Sequence, residues 1–161
     1  MTIANTTALA ATLFVGAIFG FFYAYVCSAM WGLDAADPRV AIPAMQEINA
    51  AVSNPVFFPA FFLTPAVLFA AGLLYRAAGA GAPAAWFLAA AAVYVVGGLA
   101  LTIAVNVPMN SNLAALSVPD TAEEARVIWE AYSPRWQLYN LIRTIASGVA
   151  LLFAAIGLLK A

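Results

Sequence analysis

The stretch Ala82–Val107, APAAWFLAAAAVYVVGGLALTIAVNV, decides the fold because it is apolar and holds no charged side chain. A bilayer core of ~30 Å needs about 20 such residues in a helix. Similar uncharged runs precede Asp34, occupy Val56–Tyr75, and follow Arg143 as Thr144–Leu159. We therefore predict an all-α polytopic membrane protein, a four-helix bundle that forms a single membrane domain over residues 1–161. The predicted spans cover about residues 7–31, 55–75, 84–105 and 134–159.

The composition excludes several functional classes. Hydrophobic residues make up 66% of the 161 residues and charged residues 8%, and the net charge of −1 gives no attraction for nucleic acid. Histidine is absent and Cys27 is the only cysteine. This removes the usual ligands for zinc, copper, haem and iron–sulfur clusters and leaves only an all-oxygen metal site as an option. We expect no metal and no cofactor.

Two loops carry helix signals. In loop 1, Asp37-Pro38 is a cap followed by a first-turn proline, and Ala44–Ser53 has helical spacing. In loop 3, Thr121 followed by Glu124 matches a capping box. We expect a short extramembrane helix in each of these loops.

Proline and glycine residues predict where spans end and where they touch. Ser133-Pro134 has the cap-and-proline pattern of a helix start, so we expect span 4 to begin there. Pro108 disfavours helical geometry in the residue before it, which predicts a break or sharp bend at the end of span 3. Gly16 and Gly20 on one face of span 1, and Gly97-Gly98 in span 3, are typical of close helix–helix contact.

Four spans place both termini on one side of the membrane. That side carries Arg76 and Lys160, whereas the other side carries Arg39, Arg126 and Arg135 together with all seven acids. The short loop with Arg76 and no acid favours cytoplasmic termini. We expect the protein to lie in the inner membrane of a bacterial cell.

Polar side chains converge at one membrane face in this topology. Loop 1, the end of span 3, loop 3 and the start of span 4 share that face. They carry amide, aromatic and guanidinium groups: Gln46, Asn49, Asn106, Asn110, Trp136, Asn140 and Arg143. The last three are spaced i, i+4, i+7 and form one helix stripe, with Tyr139 close to it and Tyr25 near the exit of span 1. Amides are unfavourable in hydrocarbon unless they pair or face water, so we predict a wet, donor-rich pocket with aromatic walls.

Arg143 has two alternative orientations. Residues 144–159, between it and Lys160, extend only ~24 Å, so Arg143 starts inside the bilayer boundary. It either reaches out to the headgroups or faces inward to bind an anion or a polarised oxygen, and the stripe shared with Trp136 and Asn140 favours the inward orientation. The other candidate site residues have purely structural alternatives as well. Trp136 is then an interfacial anchor, Asn106 a helix cap, Gln46 and Asn49 the solvated face of a helix, and Glu47 an exposed charge.

Three motifs together resemble a known family. They are AMQEIN at Ala44–Asn49, NVPMN at Asn106–Asn110, and W-x-x-x-N-x-x-R at Trp136–Arg143. They are similar to the DUF1772 family, also called the anthrone oxygenase family, and the resemblance covers nearly the whole chain. It implies a four-helix membrane protein. For the fungal polyketide-pathway members it implies oxidation of an anthrone to an anthraquinone by dioxygen, without metal or flavin.

The implied chemistry assigns roles to the polar residues. Cofactor-free oxygenation requires removal of a C–H proton, stabilisation of an oxyanion, and a flat substrate held away from bulk water. Glu47 is the nearby candidate base, with a substrate phenolate as the alternative driving force. The candidate catalytic residues are Arg143, Asn140 and Glu47. The candidate substrate-binding residues are Trp136, Asn110, Asn106, Asn49, Gln46, Tyr25 and Tyr139.

Two functions remain open from the sequence. One is cofactor-independent monooxygenation of an anthrone-like or other electron-rich aromatic substrate. The other is non-enzymatic binding of a lipid or quinone, or service as an accessory subunit of a larger membrane complex. The expected partners are an apolar aromatic, quinone-like or lipid ligand, membrane lipids, and either further copies of the chain or a membrane complex. A transporter is disfavoured because no charged relay crosses the membrane.

Overall fold

Five helices make up the computed structural model, which describes residues 2–161. Helix α1 spans Ile3–Ala35, α2 Pro38–Ala51, α3 Phe57–Ala77, α4 Gly81–Ala114 and α5 Ala122–Leu159. Helices α1, α3, α4 and α5 are long and apolar enough to cross a membrane, and no strand occurs in residues 2–161. The prediction of an all-α, four-span membrane protein is confirmed.

The two predicted loop-helix caps are present. The side chain of Asp37 accepts a hydrogen bond from the backbone N–H of Arg39, and Pro38 occupies the first turn of α2. Thr121 accepts from the backbone N–H of Glu124 at the start of α5 and donates to its carboxylate at 2.7 Å. The guanidinium of Arg39 also donates to Asp37 and lowers the pKa of that carboxyl to about 2. Asp37 therefore supports this end of α2 above its ordinary pKa, and the support is lost as the pH falls towards 2.

Helix α5 is continuous, so the prediction that span 4 starts separately at Ser133-Pro134 is wrong. Pro134 lies inside the helix, and Ser133 donates to the carboxylate of Asp34 at 2.6 Å instead of capping. Trp129 and Gln137, one turn to either side, donate to the same carboxylate at 2.9 and 2.8 Å. Pro134 has no backbone N–H and cannot make the i→i−4 hydrogen bond of a regular helix. The three hydrogen bonds to Asp34 stabilise α5 on both sides of this missing bond. The helix predicted in loop 3 is thus the first part of α5.

Helix α4 continues through Pro108, so of the two predicted alternatives at the end of span 3, a break or a sharp bend, the break is wrong. The backbone of Tyr94–Ala100 and of Thr102–Asn106 forms π-helical turns, and Pro108 lies in the first turn of the α-helical segment Val107–Ala114. Pro108 directly follows these π-helical turns, where the regular i→i−4 hydrogen bonding is already interrupted. π turns are rare in proteins as a whole but are common at functional sites. Thr102 and Ile103 of the second turn line the site described below.

The apolar core has two parts, and the site lies between them. The larger part fills the space between the four spans and includes Val15, Leu68, Phe87 and Ala150. The smaller part lies under α2 and includes Met30, Ile42, Met45 and Trp129. Both parts belong to one bundle, so the residues of the site are packed between two apolar clusters.

The closest helix–helix approach near the site occurs at Gly97. A Cβ atom added there would overlap the Cβ of Ala146 on α5, which agrees with the predicted close contact at Gly97-Gly98. The face of Gly16 and Gly20 is less tightly packed than predicted. An added Cβ at Gly16 would be in ordinary van der Waals contact with Leu151 of α5 at 3.8 Å, and one at Gly20 would meet nothing within 4 Å.

We expect Gly97→Ala to lower the thermal unfolding midpoint in detergent, because overpacking a tight contact is unfavourable by roughly 1–3 kcal/mol. Gly20→Ala is the matched control. It adds the same methyl group to a helix where space is open, and we expect a gain of up to about 1 kcal/mol. Circular dichroism measures the unfolding midpoint of each variant. Equal midpoints for Gly97→Ala and Gly20→Ala would contradict the close α4–α5 contact.

Candidate functional site

A cavity of about 430 Å³ lies between α1, α3, α4 and α5, beneath the end of α2. Its apolar walls are mainly phenylalanine side chains: Phe21, Phe22, Phe57, Phe58, Phe61 and Phe62. Six of the predicted site residues line it: Tyr25, Gln46, Asn49, Asn110, Trp136 and Arg143. Groups from five sequence-distant segments therefore meet at one place, as the topology predicts.

Arg143 faces inward. Its side chain is 5% exposed, and its guanidinium lies over the ring of Phe22 at 4.4 Å and over that of Trp136 at 5.3 Å. Nη1 donates to the hydroxyl of Thr102 at 3.3 Å and Nη2 to the amide oxygen of Asn140 at 3.0 Å. None of the ion pairs among residues 2–161 includes Arg143. The alternative of a side chain that reaches the headgroups is therefore wrong.

The guanidinium keeps donors free for a ligand. It carries five N–H groups in a rigid fork, and its two hydrogen bonds go to neutral oxygens. A cation buried without a counter-ion is unfavourable unless aromatic faces, dipoles or a bound anion compensate it. The site is thus suited to an anionic or strongly polarised oxygen placed against Arg143.

Asn140 supports Arg143 from behind. Its amide N–H donates to the backbone carbonyl of Phe22 at 3.0 Å, which leaves its oxygen turned towards the guanidinium. Asn140 is buried and does not line the cavity. Its position is that of a residue that orients Arg143, whereas the oxyanion-donor role predicted from the sequence would require direct contact with the ligand.

Neutral polar groups line the cavity next to Trp136, whose ring also lies beside the Arg143 guanidinium. The amide oxygen of Asn110 accepts from the indole N–H of Trp136 at 2.8 Å and from the hydroxyl of Tyr132 at 2.9 Å. These two donors determine the orientation of the Asn110 amide, so its N–H₂ group is turned away from them. Trp136 is buried and packs against Tyr25, with ring centroids 5.1 Å apart. The alternative of Trp136 as an interfacial anchor is therefore wrong.

Gln46 and Asn49 bring α2 onto this end of the cavity. Gln46 donates to the carbonyls of Leu113 and Leu116 at 2.8 and 3.0 Å, and so satisfies the C-terminal end of α4. Asn49 donates over 3.5 Å to the hydroxyl of Tyr132. Both side chains line the cavity.

Asn106 is fully buried, and neither its amide nitrogen nor its amide oxygen has a hydrogen-bond partner. It lies on α4 between Thr102, which bonds Arg143, and Asn110, which bonds Trp136. It does not line the cavity, and the alternative of a helix cap is wrong because the helix passes through it. An unpaired buried amide of this kind requires an explanation such as a bound water or a functional role.

Two predicted site residues lie outside the cavity. Glu47 is exposed on α2 because Gln46 and Asn49, its neighbours in the sequence, face inward and leave it on the outer side. Tyr139 is half-buried on α5 but is not part of the cavity wall. The predictions of Glu47 as a base in the pocket and of Tyr139 as a stacking residue are corrected accordingly.

Three residues that shape the site were not predicted. Phe22 provides both an aromatic face and a backbone carbonyl, and Thr102 relays the contact from Arg143 to the carbonyl of Gly98, to which it donates at 2.6 Å. Asp34 joins the end of α1 to α5 through the three donors described above. The i, i+4, i+8 spacing of those donors on α5 was the available signal for Asp34.

A second, more open hollow of about 590 Å³ lies on the other side of Phe21 and Phe57, between α1, α2 and α3. Its lining is apolar except for Tyr25 and Asn54, and it contains no charged side chain. It lacks the groups that would orient a polar ligand, so the cavity at Arg143 is the stronger candidate.

Comparison with known proteins found one match. A model of the anthrone oxygenase family matches residues 51–153. The matched range contains the NVPMN motif and the Trp136–Arg143 stripe, and it agrees with the resemblance seen in the motifs. No curated protein and no solved structure matched the chain.

The two buried asparagines should respond oppositely to replacement by leucine. Asn106→Leu removes an unpaired amide, so we expect an unchanged or higher unfolding midpoint. Asn140→Leu leaves the carbonyl of Phe22 and one Arg143 N–H unpaired, which is unfavourable by about 1–3 kcal/mol. Thermal unfolding in the same detergent compares them. A clear loss of stability in Asn106→Leu would show that its amide is paired after all.

Proposed function

The chain belongs to the anthrone oxygenase family, and from this premise we propose that it oxygenates an anthrone-like or other electron-rich aromatic substrate without a cofactor. The observation that carries the proposal is the buried, ion-pair-free guanidinium of Arg143 at the wall of an aromatic cavity. The enolate of an anthrone is a flat aromatic anion. It matches both the phenylalanine walls and the cation.

The proposed reaction converts the CH₂ group of the anthrone into a carbonyl. One dioxygen is consumed for each substrate, one oxygen atom enters the new C=O bond, and the other leaves as water with the two hydrogens of the CH₂ group. Dioxygen is the oxidant and accepts the four electrons that the carbon loses. The balance therefore requires no other reductant or oxidant.

The first step is loss of a C–H proton from the CH₂ carbon, which places negative charge on the substrate oxygen across the ring. Arg143 stabilises that oxyanion. The electron-rich ring then transfers an electron to dioxygen, and the two radicals combine to form a C–O bond and a peroxide. Loss of the second C–H proton with cleavage of the O–O bond gives the carbonyl and releases hydroxide, which is protonated to water.

The chain contributes mainly by stabilising the enolate and by positioning it. No Asp or Glu of residues 2–161 lines the cavity, so no carboxylate is placed to act as the base. Because Arg143 lowers the free energy of the enolate, a weak acceptor such as water at the polar end of the cavity, or the phenolate of the substrate, suffices to take the proton. Trp136 and Tyr25 hold the ring plane, and Asn110, which accepts a hydrogen bond from Trp136, offers an N–H donor.

The lack of a carboxylate in the cavity wall also favours a second candidate function. A cavity that binds an oxygen-bearing aromatic without a base is equally suited to hold a quinone or a lipid headgroup. In that case the protein binds its ligand without turnover, alone, as a homo-oligomer, or as an accessory subunit of a larger membrane complex.

The proposed location is the inner membrane of a bacterial cell with both termini in the cytoplasm. Support comes from Arg76, which lies at the short turn between α3 and α4 on the same side as the termini.

We expect the purified protein in lipid nanodiscs to raise dioxygen consumption with dithranol, the 1,8-dihydroxyanthrone, above the rate of autoxidation. Arg143→Ala should lower the protein-dependent rate by roughly 10²–10³-fold, as loss of an oxyanion donor does elsewhere. Arg135→Ala is the matched control, because this arginine lies on the same helix but is exposed and outside the cavity. An oxygen electrode gives the rate, and absorbance gives the anthraquinone product.

The same preparation separates the two functions. Saturable binding of 1,8-dihydroxyanthraquinone that is lost in Arg143→Ala, without any dithranol-dependent oxygen uptake, would favour the binding function. Equal oxygen uptake in the wild type and in Arg143→Ala would reject Arg143 as the oxyanion donor.

A further inference from the structure

Helices α3 and α4 pack together over only part of their length. They are close at Gly72, where an added Cβ would lie 2.8 Å from the side chain of Leu88. The hydroxyl of Tyr94 on α4 donates to the carbonyl of Phe61 on α3 at 2.9 Å. Beyond this bond, towards the loop side, the two helices form opposite walls of the cavity. A gap between α3 and α4 therefore begins above the Tyr94–Phe61 contact.

Both edges of the gap are apolar. Phe58 and Phe62 form the α3 edge, and Ile103 and Val107 form the α4 edge. Each of these four side chains lines the cavity and is 42–53% exposed, whereas the deepest lining side chains are only 1–5% exposed. A side chain that has both an inner and an outer surface lies at an opening. Because both edges belong to membrane-spanning helices, the opening faces hydrocarbon rather than water.

The loop-side face of the cavity is only partly covered. Helix α2 lies over it, and the two hydrogen bonds from Gln46 to Leu113 and Leu116 tie α2 to the end of α4. Ser53 and Ser111 line the cavity and are exposed, so this face has an opening with polar edges. The gap between α3 and α4 has apolar edges instead, and an apolar ligand that enters there displaces only lipid.

We propose that the gap between the Phe58–Phe62 edge and the Ile103–Val107 edge is a lateral portal through which the ligand of the cavity enters from the lipid leaflet. The ligand class is a flat aromatic molecule that partitions into the membrane and carries an oxygen at its leading edge. This inference rests on the aromatic ligand of the proposed function. It adds that the membrane, not the aqueous phase, is the source of substrate and the destination of product.

The backbone of α4 fits this role. The α4 edge lies in and next to the π-helical stretch Tyr94–Asn106. π turns interrupt the regular i→i−4 bonding of a helix, so α4 departs from regular geometry at the level where it separates from α3. Thr102, at the inner side of the same turn, holds Arg143. A ligand that passed between the edges would therefore meet the guanidinium directly.

The portal is tested by thiol labelling in nanodiscs. Cys27, the only cysteine, is first replaced by serine, and Ile103→Cys or Val96→Cys is then introduced. Val96 is the matched control because it is 72% exposed on α4 but does not line the cavity. Each protein is treated with a pyrene maleimide, which partitions into lipid, and with a charged trimethylammonium methanethiosulfonate, which does not. 1,8-Dihydroxyanthraquinone is the cavity probe.

We expect the pyrene reagent to label both positions, and the charged reagent to label Ile103→Cys no faster than Val96→Cys. The anthraquinone at ~10 times its Kd should slow labelling of Ile103→Cys by about tenfold, which is the free-site fraction at that concentration, and should leave Val96→Cys unchanged. Faster labelling of Ile103→Cys by the charged reagent would overturn the portal, because the opening would then be aqueous. Absence of anthraquinone protection would overturn it too, because the gap would not lead to the ligand.

Dithranol-dependent oxygen uptake by the wild-type protein, in which the cavity wall is unaltered, separates this inference from the proposed function. Uptake without anthraquinone protection rejects the portal and leaves the oxygenase. Protection without uptake rejects the oxygenase and leaves a lipid-accessible binding cavity.

Discussion

The site depends on one constraint, which is the burial of the Arg143 guanidinium among membrane-spanning helices. Hydrocarbon offers no hydrogen bonds, so a polar group inside the bundle must pair with protein, with water or with a ligand. Arg143 on α5 is held by Thr102 on α4, by the ring of Phe22 on α1, and by Asn140, which itself bonds the backbone of Phe22. These contacts link three spans at one level. Because α3 makes no such link there, the space beside it stays open and becomes the cavity.

The irregular parts of the spans lie where this arrangement requires them. The π turns of α4 accompany its separation from α3, and Pro108 directly follows them, where the regular i→i−4 hydrogen bonding is already interrupted. Pro134 is accommodated in α5 because Asp34 binds the helix on both sides of it. The same deviations that weaken regular hydrogen bonding thus shape a cavity with phenylalanine walls, a cation and neutral amides. This combination of apolar walls and polar groups connects the fold to an oxygen-bearing aromatic ligand.

Local patterns predicted those parts of the site that depend on helix periodicity. Trp136, Asn140 and Arg143 share a stripe by spacing alone, and the inward orientation of that stripe is what the structure has. Glu47 shows the limit, because the sequence could not decide which side of a short polar helix turns inward. Gln46 and Asn49 do so, and this leaves Glu47 outside. Ser133-Pro134 shows a second limit. It has the sequence pattern of a helix start, but Ser133 donates to Asp34, which is distant in the sequence, and does not cap a helix.

The sequence by itself determined the class of the protein, its four apolar spans, the caps of α2 and α5, and the membership of most cavity-lining polar residues in one membrane face. These are properties of residue spacing and composition within single helices. Only the tertiary structure decided that Arg143 lacks an ionic partner, that Asn106 lacks any partner, that Asn140 acts behind the cavity wall, and that the cavity opens between α3 and α4. Those facts depend on the rotation and separation of helices. Contacts between residues that are remote in the chain set both quantities, and no local pattern encodes them.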